Sequence, residues 1–109
     1  MFVELDIFSG RPNPRWQLSE DLAAEVVRLV DSLELAARDN RPSPPGLGYR
    51  GFRLSDPVGP HYWAYGGFVF GSTTALADPT RMVERFLLEH LPEEYADLRS
   101  LVESEIGPT

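Results

Sequence analysis

Two segments rich in proline and glycine set the limits on what this chain can fold into. The first, Ser9-Gly10-Arg11-Pro12-Asn13-Pro14, places two prolines within three residues, removing backbone donors and fixing φ, so no regular element can run through it. The second runs from Pro42, Pro44 and Pro45 into Gly46-Leu47-Gly48-Tyr49-Arg50-Gly51. The prolines favour an extended path, and the glycines make a permissive entry to whatever follows. Regular structure must therefore fit into three stretches, before, between and after these breaks.

Each stretch carries a readable pattern. Residues 2–8 alternate, with Val3, Leu5 and Ile7 on one face and Glu4 and Asp6 on the other, as a strand with one buried side requires. Ser19 is a good helix N-cap, followed by Glu20 and Asp21. Leu22, Val26, Leu29, Val30 and Leu33 then recur at helical spacing, which predicts a helix over residues 20–38. Residues 49–55 and 61–71 read as two strands of an antiparallel hairpin, with Gly66-Gly67 as a bulge or a close backbone approach in the second. Asp78-Pro79 reads as an N-cap with proline at the first helical position. Met82, Val83, Phe86 and Leu87 supply that helix's apolar face, and Pro92 opens a third, short helix. The expected fold is α+β in the order β-α-β-β-α-α, a small, mainly antiparallel three-stranded sheet packed on one face by helices. At 109 residues with 42% hydrophobic and 25% charged residues, the chain reads as a single domain, 1–109.

Composition excludes several chemistries. Without cysteine there is no disulfide framework, thiolate metal site or thiol nucleophile. The formal net charge of −7 argues against a nucleic-acid partner. No apolar run is long enough to span a membrane, and residues 1–6 alternate rather than form a secretory leader, so a cytoplasmic location is expected. All ten basic residues are arginine, a bias that GC-rich bacterial coding explains in large part. Yet Arg11, Arg15, Arg41, Arg50 and Arg53 gather around the first strand and the second broken segment, while the helices hold most of the acid. A locally basic end suits a small anion, because guanidinium presents a rigid fork to carboxylate or phosphate.

The chemical motifs are weighed against plainer roles. Gly46-Leu47-Gly48-Tyr49-Arg50-Gly51 matches a dinucleotide fingerprint as a string, but prolines precede it and a strand-like run follows, so the nucleotide reading is rejected. Arg41-Pro42-Ser43-Pro44-Pro45 resembles a proline-rich ligand, with a spacer as the plainer role. His61 and His90, the two histidines, show no ligand spacing with Glu4, Asp6 or Glu89, and no metal or cofactor is expected. His90 suits a helix C-terminus, and His61 is the better acid–base candidate. Glu4 and Asp6 share a strand face at roughly 7 Å, either as an acid–base pair or as a solvated face. Ser9 and Ser72 have no triad context. Tyr62, Phe68 and Phe70 are expected on one face of their strand, with Trp63 and Tyr65 on the other. One set is core, and the second must line a pocket, an interface or the long loop.

Phe8-Ser9-Gly10-Arg11-Pro12-Asn13-Pro14 with Trp16, together with Leu47-Gly48-Tyr49-Arg50-Gly51-Phe52, resembles a small family of bacterial and fungal proteins pairing these two segments. The likeness extends to Tyr65-Gly66-Gly67 and the Asp78-Pro79 helix, and it implies no particular activity.

The leading expectation is a binding or accessory module for an acidic small molecule or peptide segment. Arg11 and Arg50 would grip the acid, with Arg53 beside them, Asn13 would orient it, and Trp16 and Tyr49 would form apolar walls. The alternative is a cofactor-independent enzyme of isomerase or cyclase type using the same pocket, with His61 or Asp6 moving a proton. In a third reading the two segments only lock the fold. Convergence of Arg11 and Arg50 on an open cavity separates the ligand readings from the structural one.

Overall fold

The computed structural model describes residues 1–37, 48–59 and 61–107. Arg41, the prolines at 42, 44 and 45, Gly46, Leu47 and the expected helix end at Arg38 lie outside these residues.

Seven strands form one antiparallel sheet among the described residues, with three α-helices. In chain order they are β1 (Phe2–Leu5), β2 (Arg15–Gln17), α1 (Glu20–Asp31), β3 (Glu34–Leu35), β4 (Phe52–Ser55), β5 (His61–Tyr65), β6 (Phe68–Phe70), β7 (Ala75–Ala77), α2 (Met82–Glu89) and α3 (Arg99–Ile106), the last preceded by a 3₁₀ helix at Glu93–Leu98. Across the sheet they run β2-β1-β4-β5-β6-β7-β3. This overturns the expected three-stranded sheet and the order β-α-β-β-α-α.

Four local causes account for the difference. The chain folds back after its first proline-rich segment, so that Val3 pairs with Trp16 and Glu4 with Arg15, giving a short edge strand that no alternation announces. Helix α1 stops at Asp31 rather than near residue 38. Ser32 closes it with backbone and hydroxyl bonds to the last carbonyls, and Glu34–Leu35 leaves to pair with Ala77 and Leu76. The long strand expected over 61–71 is two strands. Gly66 and Gly67, at φ +66° and +88°, make the two-residue turn in which both central residues need positive φ. Finally, Ala75–Ala77 adds a strand to β6 that its small residues did not signal.

Helix α2 begins at Met82, so Pro79 lies in the turn before it rather than at its first position. Asp78 still caps it, with Oδ1 accepting from Met82 N–H (2.9 Å) and Oδ2 from Val83 N–H (3.0 Å). Ser19 caps α1 through Leu22 N–H.

The inner face of the sheet carries Val3, Leu5, Phe52, Leu54, Ala64 and Val69, buried together with Val26 and Val30 of α1, Val83 and Leu87 of α2, and Val102 and Ile106 of α3. Register then fixes the outer face. Glu4, Arg53, Trp63 and Phe70 form one cross-strand row, and Phe2, Ser55 and His61 the next. Because the Gly66-Gly67 turn pairs Tyr65 with Phe68, Phe68 and Phe70 share the face of Trp63 and Tyr65, not that of Tyr62 as expected from an unbroken strand. No helix is long and apolar enough to cross a membrane among the described residues.

Candidate functional site

Asn13 holds the first proline-rich segment together. Its Oδ1 accepts from the N–H groups of Ile7 (3.0 Å) and Phe8 (2.7 Å), and its Nδ2 donates to Glu4 Oε2 (3.1 Å) and Asp6 Oδ1 (3.4 Å). Asn13 is thus spent on closing the turn and on two carboxylates, Glu4 of β1 and Asp6 just past its end.

Asp6, 8% exposed, is the hub of an arginine cluster. Arg50 donates to Oδ1 from Nε (3.0 Å) and Nη2 (2.9 Å), and from Nη2 to the Phe8 carbonyl (2.6 Å). Arg53 reaches Oδ2 from Nε and Nη2, each at 3.2 Å. Arg15 lies 3.7 Å from Glu4 Oε1. Buried carboxylates need such partners, and the cluster satisfies Asp6. The backbone route into β4 depends on Gly51 at φ +92°. A Cβ there would come within 2.4 Å of the Ala64 carbonyl oxygen.

Tyr49, expected as an apolar wall, is buried in the core. Its hydroxyl donates to Glu84 Oε1 (2.6 Å), and Glu84 also accepts from Arg81 Nε (2.9 Å) and Nη2 (2.8 Å). Burial, then the negative charge of Glu84, pushes the Tyr49 phenol far above its ordinary range, and the bond to Glu84 holds the Arg81 guanidinium all the more firmly protonated. Trp16 packs between Phe52 and Tyr95 at ring distances of 6.4 and 5.9 Å, and its buried indole Nε1 has no hydrogen-bond partner among the described residues.

The expected six residues therefore do not line one hollow. Arg11 lies over the Phe8 ring at 3.8 Å and opens on a groove of about 280 Å³ with Pro12, Pro14 and Tyr95, beside Glu94 and Asp97. Arg53, half exposed, opens on a separate groove of about 410 Å³ across the sheet's outer face, with Glu4, His61, Trp63, Phe70 and Ser72. This second groove brings together Arg53 and His61 from the sequence expectation, and its floor is the aromatic row. Trp63 stacks on Tyr65 (5.6 Å, 7°) and packs on Phe70 (5.2 Å), its Nε1 donates to the Arg50 carbonyl (2.8 Å), and the Arg53 guanidinium sits 5.2 Å from its ring. A larger hollow of about 660 Å³ lies between α2 and α3. It has no aromatic wall among its lining residues, and its Arg85 donates to the carbonyls of Thr80 and Gly107.

His90 packs on Phe86 (4.5 Å), with Nδ1 at 2.9 Å from the Phe86 carbonyl. No group of three His, Cys, Asp or Glu side chains that could hold a metal ion occurs among the described residues. Sequence reasoning missed Glu84 and Arg81. The available signal was an acid inside α2's apolar run, between Val83 and Leu87.

No family model matches the chain, and neither a curated protein nor a solved structure does.

Proposed function

We propose that this protein is a small binding or accessory module that receives the acidic group of a small molecule or peptide segment in the outer-face groove, with Arg53 as its anchor. One observation carries this reading. Arg53 is half exposed at the mouth of an aromatic-floored groove, fixed by Asp6 on one side and by Trp63 below. An arginine has five N–H donors and Asp6 engages two of Arg53's groups, which leaves donors for a ligand. Arg50 and Asn13 act one step back, holding Asp6 and so the pose of Arg53.

The same groove supports a second reading, because His61 lines it with Arg53. In a cofactor-independent isomerase or cyclase, Arg53 would stabilise developing negative charge while His61 moved a proton.

Titration of ¹⁵N-labelled protein with a panel of small acids and acidic peptides tests the first reading through the Trp63 indole and Arg53 Nε–H resonances. An acid should move both signals, and Arg53→Gln should abolish the response. Because Arg53 is half exposed and Asp6 keeps Arg50, Tm should fall by less than about 5 °C. Unchanged affinity in Arg53→Gln would overturn the proposal. His61→Ala separates the two readings, since an enzyme would lose turnover and keep affinity.

A further inference from the structure

The core holds an ionisable pair that the groove does not use. The buried Tyr49 hydroxyl donates to the buried Glu84 carboxylate, Oε1, at 2.6 Å. A phenol that loses an electron becomes a strong acid, so a buried tyrosine is oxidised readily only where a base takes its proton. Glu84 is such a base. Arg81 pairs with it while keeping 20% of its own side chain in solvent, so the positive charge left on Arg81 after a transfer is hydrated.

Rings connect this pair to the outer face. Tyr49 lies 5.8 Å from Tyr65, which stacks on Trp63 at 5.6 Å and 7°, and Trp63 lines the groove. Electron transfer falls steeply with distance, and these two gaps divide the route into short steps. The charges give it a direction. The Arg53 guanidinium, 5.2 Å from the indole, opposes a cation radical on Trp63, and the indole N–H donates to the Arg50 carbonyl, which is no base. Among the described residues, Tyr49 is the one ring of the three that donates to a carboxylate. On its other side Phe52, which resists oxidation, stands between Tyr49 and Trp16.

We propose that Tyr49 is a redox-active tyrosine, oxidised through Trp63 and Tyr65 by a one-electron oxidant at the outer face, with Glu84 taking its proton. A peroxyl-type radical gains one electron from Trp63 and becomes a peroxide anion. Trp63 is refilled from Tyr65, and Tyr65 from Tyr49. Tyr49 thus gives its electron along the rings and its proton to Glu84 Oε1, leaving a neutral phenoxyl radical and a protonated carboxyl. Trp63 and Tyr65 end as they began. The oxidising equivalent moves to a ring that solvent does not reach, where the radical is shielded from coupling. This assignment does not depend on what the groove binds.

The test is photochemical one-electron oxidation of the full chain by ruthenium tris-bipyridine with persulfate, frozen after illumination and read by electron paramagnetic resonance. A neutral tyrosyl radical is expected, identified by the narrowing of its spectrum in protein carrying ring-deuterated tyrosine. Tyr49→Phe should remove most of that signal, whereas Tyr95→Phe should leave it unchanged. Glu84→Gln keeps a hydrogen-bond acceptor but takes no proton. It should cut the tyrosyl yield at least about tenfold, the lower range for loss of a positioned proton acceptor, and leave a tryptophan cation radical. Should that variant not fold, the rate in D2O decides, because radical formation slows there only if the Tyr49 proton moves with the electron. Trp63→Phe removes the entry ring and should slow formation. A tyrosyl signal of full size in Tyr49→Phe, a tryptophan radical alone in the wild type, or an unchanged rate in Trp63→Phe would overturn the proposal.

Discussion

Glu84 carries its carboxylate at 1% exposure, and the Tyr49 hydroxyl and the Arg81 fork together make that burial tolerable. Tyr49→Phe removes one of these donors without changing the shape of the core. It should cost about 1.5–3 kcal/mol in urea unfolding, the range for a hydrogen bond to a charged group. The same residue ties stability to alkaline pH. The folded phenol is raised above its ordinary value of 10.0, so from about pH 10 upward the unfolded chain releases a proton that the folded chain keeps. Stability from this group is complete below that pH and declines above it, and Tyr49→Phe should show a shallower alkaline decline of its denaturation midpoint. Gly51 is the other residue with little freedom. Gly51→Ala combines an unfavourable positive φ with a Cβ 2.4 Å from the Ala64 oxygen, and should lose at least about 2 kcal/mol by thermal unfolding.

Among the elements, α2 depends most on a residue outside itself. Its N-cap position is Arg81 at φ +57°, which makes no side-chain cap bond, and the capping falls to Asp78, buried four residues before the first helical residue. Asp78→Ala leaves two N–H groups without their acceptors and should cost about 2 kcal/mol, the upper end for a cap. Asp78→Asn keeps one acceptor and should lose less, with both read from denaturant midpoints. The sequence made Asp78 legible as a cap because aspartate before an apolar helical run has a mechanism. It did not reveal the intervening turn, since proline is equally suited to a first helical position and to a turn. The strands divide in the same way. β1 and β4 were visible because Val3, Leu5, Phe52 and Leu54 alternate with polar residues along four-residue strands. β2, β3 and β7 have two or three residues each, too few for a period, and they exist through pairing with partners distant in sequence. At Gly66-Gly67 an unbroken strand puts both Phe68 and Phe70 on the face of Tyr62, a two-residue turn puts both on that of Trp63, and only pairing decides between them.

At the scale of the molecule, the polar chemistry of the described residues gathers in two clusters, Asp6 with Arg50 and Arg53, and Glu84 with Tyr49 and Arg81. This division explains how far the candidate site was legible. The sequence marked the arginine-bearing segments correctly as places of special structure, but Tyr49 and Arg50 are adjacent and face different partners. Adjacency in an extended chain sends neighbouring side chains to opposite sides, so a list drawn from one segment mixes core and surface. The groove drew instead on Arg53, His61, Trp63 and Phe70, which meet only through the registers of β4, β5 and β6. Separate clusters predict separable effects. Tyr49→Phe should lower stability and leave the response of the Trp63 and Arg53 signals to small acids unchanged, whereas Arg53→Gln should abolish the Trp63 response at only a small cost in stability. In the double variant the two stability losses should add to within about 0.5 kcal/mol, as expected for side chains that bond different residues, Glu84 and Asp6. A coupling above about 1 kcal/mol in that double-mutant cycle would mean that strain passes along the Tyr49–Arg53 segment, and that core and groove are a single mechanical unit.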